Sequence, residues 1–373
     1  MELAAAGPMA GSMVVGIDPH KHAISACIID SRGGVTSNRH FTNSEESHEQ
    51  MLVWAHSHGP VVRWGIENAT SYGRPTTEFL CERGQDVRDV CPNRTSERAR
   101  RRRQGKSDVL DAERIARETL ADPKLPIAFK RSAGDSGPNE AHELISLWHK
   151  EKRSIVKQRQ QLLNESETLL SELPERLRVA LPATSAVRPR LRALVELDNP
   201  DGDSATILRI QLLTEHWQTI CDLDRRQRLA TKNLKSLLSR LGSTLNELCG
   251  IDTATAAELT VEVGDARRFT EAGFARFNGT APLPASSGEA GGPPKRHRFN
   301  RGGNRRINSV LHIMALTQLR CEPRARAIYE ASRLRGHTKK EAMRVLKRQL
   351  SNVVYRKMIR DLNALREVEA PAA

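Results

Sequence analysis

The sequence has few aromatic residues, no long apolar run and no closely spaced pair of cysteines. Only 4% of its residues are aromatic, and no apolar stretch approaches the roughly 18 to 20 residues that span a bilayer. Its six cysteines are scattered, without a C-x-x-C pair. This argues against a zinc knuckle or a disulfide framework and indicates a reducing, cytoplasmic location without membrane partners.

What the sequence does have is positive charge. Its 373 residues carry a formal net charge of +14, and 28% of them are charged, which is typical of a soluble protein with a polyanionic partner. The length suits several domains. Composition predicts a disordered leader at 1–13, an α/β domain at 14–130, a helical spacer at 139–243, a C-terminal domain at 246–362 and a disordered tail at 363–373.

Short apolar and β-branched runs in the first domain predict three strands, a helix, a strand, a helix, a strand and a helix. A capping box at 43–46 opens the first helix, and Ser107 is a suitable N-cap for the last. The predicted elements lie at 14–18, 23–29, 37–41, 43–56, 61–67, 73–83, 87–91 and 108–120.

Four acids recur at special places in this pattern. Asp18 ends the first strand, Glu67 ends the fourth, and Asp108 and Asp111 share one face of the last helix's first turn. Gathered together they would repel unless a divalent cation held them, and hard Mg²⁺ or Mn²⁺ prefers such oxygens. Separately they read as ordinary solvated acids. The strand order with acids at these positions resembles the RNase H-like fold of RuvC-type nucleases, which implies that the four converge at one sheet edge.

A basic segment precedes the paired aspartates. Residues 94–106 contain seven basic residues and one acid, which indicates either a solvated loop or, as we prefer beside the acids, a clamp on a phosphate backbone. The basic residues are Arg94, Arg98, Arg100, Arg101, Arg102, Arg103 and Lys106.

The middle of the chain predicts two long helices, one from about residue 139 and one at 204–241. Apolar residues recur every seven positions on the first, but the positions completing a coiled-coil seam are polar. We expect an antiparallel coiled-coil pair that dimerises; an intramolecular hairpin is the alternative. The apolar residues are Trp148, Ile155, Leu162 and Leu169.

The C-terminal domain opens with a turn and helix at 248–259 that resembles a helix-hairpin-helix element, with Asp252 where a second glycine is usual. Contact with DNA and simple helix packing both remain open. Further on, Ser286 and Ser287 lie in a small-residue loop beside a Gly-rich basic segment, which could stabilise a phosphorane-like transition state. A plain loop serine is the alternative. The basic residues are Lys295, Arg296, Arg298, Arg301, Arg305 and Arg306.

The two ends together resemble a known family. An N-terminal Asp…Glu…Asp-x-x-Asp pattern with a C-terminal Ala-Pro-x-Pro-x-x-Ser-Gly…Asn-Arg-Gly-Gly-Asn-Arg-Arg pattern is similar to the insertion-sequence one-ten family of DEDD transposases, over 14–361. The resemblance implies an RNase H-like (RuvC-like) domain, a helical spacer and a mainly helical transposase domain. It also implies that Asp18, Glu67, Asp108 and Asp111 bind Mg²⁺ and that Ser287, which directly precedes Gly288, joins covalently to DNA.

Partners follow from the same resemblance: double-stranded DNA at the element ends and target, a noncoding bridge RNA as guide, and a homodimer or tetramer at the bacterial nucleoid. The last helices, predicted at 306–320 and from a capping box at Thr338 to about 362, present a basic face for nucleic acid or solvent. That face comprises Lys340, Arg344, Lys347 and Arg348, opposite an inner side of Ala342, Val345, Leu346, Gln349, Val353 and Met358.

The main hypothesis is therefore a recombinase that excises and inserts a mobile element through a phosphoserine intermediate. One alternative is a metal-dependent junction nuclease or resolvase in which Ser287 is structural. A tyrosine recombinase acting through Tyr355 would leave the four carboxylates without a role. A nucleic-acid-binding protein without catalysis is the fourth possibility.

Overall fold

In a computed structural model, the chain is described at residues 11–69, 71–91, 108–128, 136–197, 202–284, 297–298, 300 and 302–369. The chain divides into two compact units. The first combines Met1–Ser136, Glu247–Ile251 and Glu262–Ala373, and the second combines Gly137–Asn246 and Asp252–Val261. Within the described residues, none of the helices has the length and apolar character needed to cross a membrane.

The N-terminal part of the first unit is a five-stranded mixed sheet whose elements follow in the predicted order. Along the chain these are β1 (Met13–Pro19), β2 (Ala23–Asp30), β3 (Val35–Thr42), α1 (Glu45–Ser57), β4 (Val61–Ile66), α2 (Arg74–Glu82), β5 (Val87–Asp89) and α3 (Asp108–Ala121). The spatial order is β3-β2-β1-β4-β5. The first three strands pair antiparallel, whereas β4 runs parallel to both β1 and β5. The carboxyl ends of β1, β4 and β5 therefore share one sheet edge.

Apolar residues alternate along the central strands so that both faces of the sheet are covered. On one face, Ile17 and Trp64 belong to a fully buried cluster with Met51 of α1 and Leu80 of α2. On the other face, Val14 and its neighbours on β2 pack against the small side chains of α3. The helix with the paired aspartates thus packs on this face, directly over the strand that carries Asp18.

The remainder of the first unit is mostly helical. Its elements are α9 (Glu271–Phe277), a short ribbon of β6 (Leu283–Pro284) and β7 (His297–Arg298), α10 (Arg305–Cys321), α11 (Pro323–Leu334) and α12 (Lys339–Glu369). The helix α8 (Thr253–Val263) precedes them in the chain, and most of it belongs to the second unit. The helices α10, α11 and α12 pack against one another around buried residues such as Leu311 and Leu346.

The predicted capping box of α12 is present, because Thr338 N donates to Glu341 Oε2 at 2.8 Å and Glu341 N donates to Thr338 Oγ1 at 3.3 Å. Its predicted faces are partly wrong. Lys347, assigned to the basic outer face, is buried, whereas Gln349 and Val353, assigned to the inner side, are exposed. The buried stripe is set by Ala342, Leu346, Leu350, Val354 and Met358, and at helical spacing it includes position 347.

The second unit contains α4 (Ser136–Ser171), α5 (Glu175–Ala180), α6 (Val187–Val195) and α7 (Ser204–Arg240). Ion pairs that join successive points of α4 and α7 show that these helices run antiparallel within one chain. The short helices α5 and α6 contribute Leu177 and Leu191 to the same apolar cluster as Leu213 and Ile220 of α7. The two short helices thus cover apolar surface of the long helices that we expected a second chain to cover. The predicted coiled coil is therefore not confirmed.

Candidate active site

Two predicted acids lie at the carboxyl ends of neighbouring parallel strands. Ile17 of β1 and Ile66 of β4 are paired in register, and the next residues are Asp18 and Glu67. The backbone N–H of Glu67 donates to the carbonyl of Ile17 at 3.3 Å, which continues the ladder. Asp18 is only 8% exposed. The sheet therefore fixes both acids at the edge formed by the carboxyl ends of its parallel strands.

Helix α3 brings Asp108 to the same place. Atom Nε2 of His20 lies 3.4 Å from Asp18 Oδ2 and 3.6 Å from Asp108 Oδ1. One ligand atom from each of these three residues lies within 4.8 Å of the other two. The structure thus places a buried carboxylate, an exposed carboxylate and an imidazole around one point.

The other two members of the predicted tetrad lie outside this cluster of described residues. Asp111, on the same turn of α3, forms an ion pair with the buried guanidinium of Arg114. Glu67 is half-buried beside Asp18 at the end of β4. The cluster therefore joins two of the four predicted acids, Asp18 and Asp108, with His20, which was not among the predicted residues.

His20 was missed in the sequence, although its position two residues after a strand-ending aspartate was a usable signal. The amide of Asn43 donates to the carbonyls of both His20 and Tyr72, each at 3.0 Å. Asn43 Oδ1 in turn lies 3.1 Å from Nε2 of His48. Burial lowers the pKa of His48, against the opposing charge of Glu45. A buried imidazole on α1 thus orients the amide that holds the His20 turn.

The donor set fits a divalent cation. Imidazole and carboxylate together suit Mn²⁺, Zn²⁺ and similar ions, and carboxylates alone suit Mg²⁺. Two ligand atoms about 2.1 Å from one ion can lie up to about 4.2 Å apart, so the separations of His20 Nε2 from the two acids, 3.4 Å and 3.6 Å, permit a shared cation. The side chains of His20 and Asp108 are 49% and 57% exposed, which leaves room for a phosphate oxygen to enter.

The predicted nucleophile and most of the basic positions fall outside the described residues. These are Ser286, Ser287, Lys295, Arg296 and Arg301, together with Arg94, Arg98, Arg100, Arg101, Arg102, Arg103 and Lys106. The three predicted basic residues that the structure describes, Arg298, Arg305 and Arg306, are all exposed, and Arg306 also pairs with Glu262 at 2.6 Å.

The strands of the ribbon β6–β7 flank residues 285–296. The chain segments next to the ribbon, 277–280 and 302–304, pack tightly against each other, and we call them the ribbon base. Leu283 pairs with Arg298 and Pro284 with His297. Below them, Gly279 adopts a φ of 76°, and a Cβ on Gly303 would overlap its backbone. The backbone N–H of Asn304 donates to the carbonyl of Phe277 at 2.6 Å.

A buried polar network continues this base into the helices. Asn278 donates to Ser351 Oγ at 2.8 Å and accepts from Thr280, while Asn308 donates to the Asn278 carbonyl at 2.8 Å. Nζ of Lys347 donates to Asn308 Oδ1 at 2.5 Å. Burial lowers the pKa of Lys347 to about 8. The lysine is therefore a structural member of the base and not part of an exposed basic track.

The same base touches the carboxyl end of β5. The thiol of Cys91, two residues beyond β5, donates to the carbonyl of Gly302 at 3.2 Å. Nearby, the guanidinium of Arg268 is 2% exposed, lies 3.7 Å from the Asp89 carboxylate and donates to the Ile127 carbonyl at 2.6 Å. Within the first unit, the C-terminal helices are thus joined to the sheet at the edge where Asp18 and Glu67 lie.

Two other sequence candidates have structural roles. The hydroxyl of Tyr355 donates to the Phe269 carbonyl at 2.7 Å, and burial raises its pKa, which disfavours it as a nucleophile. Asp252 accepts from the backbone N–H of Thr255 at 2.8 Å. Its carboxylate therefore occupies the start of α8, where a phosphate would have to bind, which favours helix packing over DNA contact.

Comparisons with known proteins point to one family. The family model for the DEDD transposase of IS110 matches residues 15–174, and the model for the IS116/IS110/IS902 transposase family matches residues 242–330. A Streptomyces coelicolor protein, described as an uncharacterized 43.6 kDa protein of insertion element IS110, is 34% identical over 122 residues. The match covers 32% of this chain and only 29% of that protein's length.

One solved structure, T. thermophilus RuvC in complex with a Holliday junction substrate, is 13% identical and covers 28% of this chain and 90% of that chain. Its TM-score of 0.23 is too low to support an argument about fold or function.

Proposed function

The chain belongs to the IS116/IS110/IS902 family of transposases, and on that premise we propose that it is the recombinase that excises and inserts its element through a two-part site. One part is the cluster of Asp18, His20 and Asp108, with Glu67 and Asp111 beside it. The other part is Ser287, on the segment between β6 and β7. The observation that carries the proposal is the contact of Cys91 with Gly302, because it joins the base of that ribbon to the acidic sheet edge.

In this proposal the acids position a DNA phosphate and the serine attacks it. A bound Mg²⁺ or Mn²⁺ ion would supply Lewis-acid stabilisation of the phosphate. Oγ of Ser287 forms a bond to phosphorus and gives up its proton, while one phosphorus–oxygen bond of the DNA breaks and the released oxygen takes a proton. The resulting phosphoserine conserves the energy of the broken bond for rejoining.

The basic residues would hold the DNA and stabilise the charge that develops on the phosphate. Arg298 and Arg305 are exposed, as this role requires. The partners proposed from family resemblance are double-stranded DNA, a noncoding guide RNA that reads the target by base pairing, and further copies of the chain.

A second candidate function is hydrolysis of a DNA junction by the metal cluster alone. The cluster favours it, because two carboxylates and an imidazole can activate water without any contribution from a serine.

The deciding experiment incubates the purified protein, its copurifying RNA and Mg²⁺ or Mn²⁺ with DNA that spans an element junction. We expect a denaturation-resistant protein–DNA adduct that disappears in Ser287→Ala, persists in the matched variant Ser286→Ala and fails to form when metal is chelated. Metal-dependent cleavage without an adduct in any variant would establish the nuclease instead.

A further inference from the structure

Cys249 and Cys321 lie 72 residues apart in the sequence, yet their sulfur atoms are 2.9 Å apart. Both side chains are exposed and both thiols are free. A disulfide bond is about 2.05 Å long, so bond formation requires the two sulfurs to approach by less than about 1 Å. Neither cysteine belongs to the site described above. Because the two are far apart in the sequence, the pair could not be predicted from their spacing.

Contacts other than the one between the two sulfur atoms hold each cysteine in place. The side-chain amide of Gln318, on α10, donates to the carbonyl of Cys249 at 2.9 Å. Gly250 adopts a φ of 88°, and a Cβ there would lie 3.0 Å from Met314 Cα, so this turn lies directly against α10. Cys321 is the last residue of α10, and its thiol donates to the Thr317 carbonyl at 3.2 Å. These contacts place the two thiols next to each other.

We propose that Cys249 and Cys321 form a reversible intramolecular disulfide. The bond would close covalently the stretch of chain that contains α8, α9, the ribbon β6–β7 and α10. It would also fix Glu247–Ile251, the short segment by which the chain returns to the first unit, onto the end of α10. The modification would therefore stiffen the C-terminal part of the unit without touching the acidic cluster.

The chemistry balances with a low-molecular-weight disulfide as the oxidant. One cysteine thiolate attacks oxidised glutathione, which forms a mixed disulfide and releases one glutathione thiol. The second cysteine then attacks the mixed disulfide, which closes the protein disulfide and releases the second glutathione. Two electrons pass from the cysteines to oxidised glutathione, and the two thiol protons end on the released glutathione thiols.

The environment of the pair favours slow exchange. The hydrogen bond that the Cys249 thiol donates to the Cys321 sulfur raises the pKa of Cys249, with smaller contributions from burial and from the charges of Cys321 and Glu322. Only the thiolate is nucleophilic, and a raised pKa reduces the fraction of Cys249 in that form. The disulfide should therefore form during prolonged exposure to an oxidising glutathione ratio and not during a brief pulse of oxidant.

The test uses the full chain, equilibrated with oxidised and reduced glutathione and then digested without reduction for mass spectrometry. We expect loss of two free thiols per chain and a Cys249–Cys321 cross-linked peptide that is two hydrogens lighter than its parts. Dithiothreitol should reverse both changes. Cys249→Ser and Cys321→Ser should each abolish the cross-link, whereas the matched control Cys221→Ser should retain it.

Amide hydrogen exchange provides a second readout. Exchange across Glu247–Ile251 should slow about tenfold on oxidation of the wild type and remain unchanged in Cys249→Ser. Cross-links to other cysteines, or a stable glutathione adduct on Cys249 while Cys321 is free, would overturn the assignment. A cross-link with unaltered exchange would overturn the proposed stiffening.

Discussion

Gly16 and Gly65 face each other across β1 and β4, and helix α3 lies directly on both. A Cβ on Gly16 would overlap the carbonyl of Ala112, and a Cβ on Gly65 would overlap Oγ1 of Thr119. No side chain can separate the helix from these strands. The pair of glycines therefore sets how closely Asp108, at the start of α3, approaches Asp18, at the end of β1.

We expect Gly16→Ala and Gly65→Ala each to push α3 away from the sheet. Overpacking of this kind costs about 1 to 3 kcal/mol, and the displacement should also weaken Mn²⁺ binding. Urea unfolding and Mn²⁺ titration measure the two effects. The control is Gly273→Ala, since only Thr270 Oγ1, at 3.1 Å, lies near its added methyl group. Unchanged stability and Mn²⁺ affinity in both strand variants would contradict the prediction.

Removing a donor from the cluster should weaken cation binding directly. We expect Asp18→Asn, Asp108→Asn and His20→Ala each to reduce Mn²⁺ affinity by at least about tenfold, as measured by calorimetry or by the electron paramagnetic resonance of free Mn²⁺. Glu113→Gln is the matched control, because Glu113 lies on the same helix but pairs with Arg117. If Asp18→Asn binds Mn²⁺ with wild-type affinity, this cluster is not the metal site.

The buried lysine predicts a pH dependence of stability. Lys347 titrates near pH 8 in the folded chain and near pH 10.4 when unfolded. Between these values the unfolded state binds more protons, so the folded state gains stability as pH rises. The free energy of unfolding of the wild type, relative to Lys347→Met, should therefore rise by on the order of 2 kcal/mol from pH 8 to 10.5 and stay level below pH 8.

Denaturant unfolding of both proteins at pH 7, 8, 9 and 10 measures this difference. Lys340→Met serves as control, because Lys340 lies on the same helix with an exposed side chain. A Lys347→Met difference that stays flat over the whole range would show that the lysine is not desolvated.

Arg268 should be required to hold the C-terminal helices on the sheet. Its guanidinium is buried between Asp89, the Ile127 carbonyl and the ring of Phe269. Replacing it by methionine leaves the Ile127 carbonyl without this donor, so Arg268→Met should lower the free energy of unfolding by about 2 to 3 kcal/mol. It should also speed proteolysis of the C-terminal helices. Arg324→Met, at an exposed arginine, should do neither; equal behaviour of the two variants would refute the role.

The parts of the fold that sequence could predict are those set by local pattern. The apolar run before Asp18, the alternation before Glu67 and the spacing of Asp108 and Asp111 each specify an element and place an acid at its end. The approach of Asp108 to Asp18 was expected only from the resemblance, because it depends on how α3 packs against β1. The capping box at Thr338 was readable because both partners lie within one turn.

The rest depended on contacts between residues far apart in the chain. Lys347 reads as a surface residue, and only the carboxamide of Asn308, on another helix, makes its burial possible. Likewise, α5 and α6 lie in a stretch interrupted by prolines, where local propensity gives little indication of helix. His20 begins a turn that is held by a hydrogen bond from Asn43 of a different loop. The positions of these residues could not be predicted from the periodic pattern of apolar residues around them.

The contact between Cys91 and Gly302 has a consequence for the synthesis of the protein. Its partners are 211 residues apart, and ribosomes add about 5 to 20 residues per second. The sheet with its acidic edge therefore leaves the ribosome roughly 10 to 40 s before the segment that must dock against it. A chain that stops before residue 302 would carry the acidic sheet edge without the segment that docks against it. Under the proposed function, cleavage and rejoining would become available together only after that segment has been made.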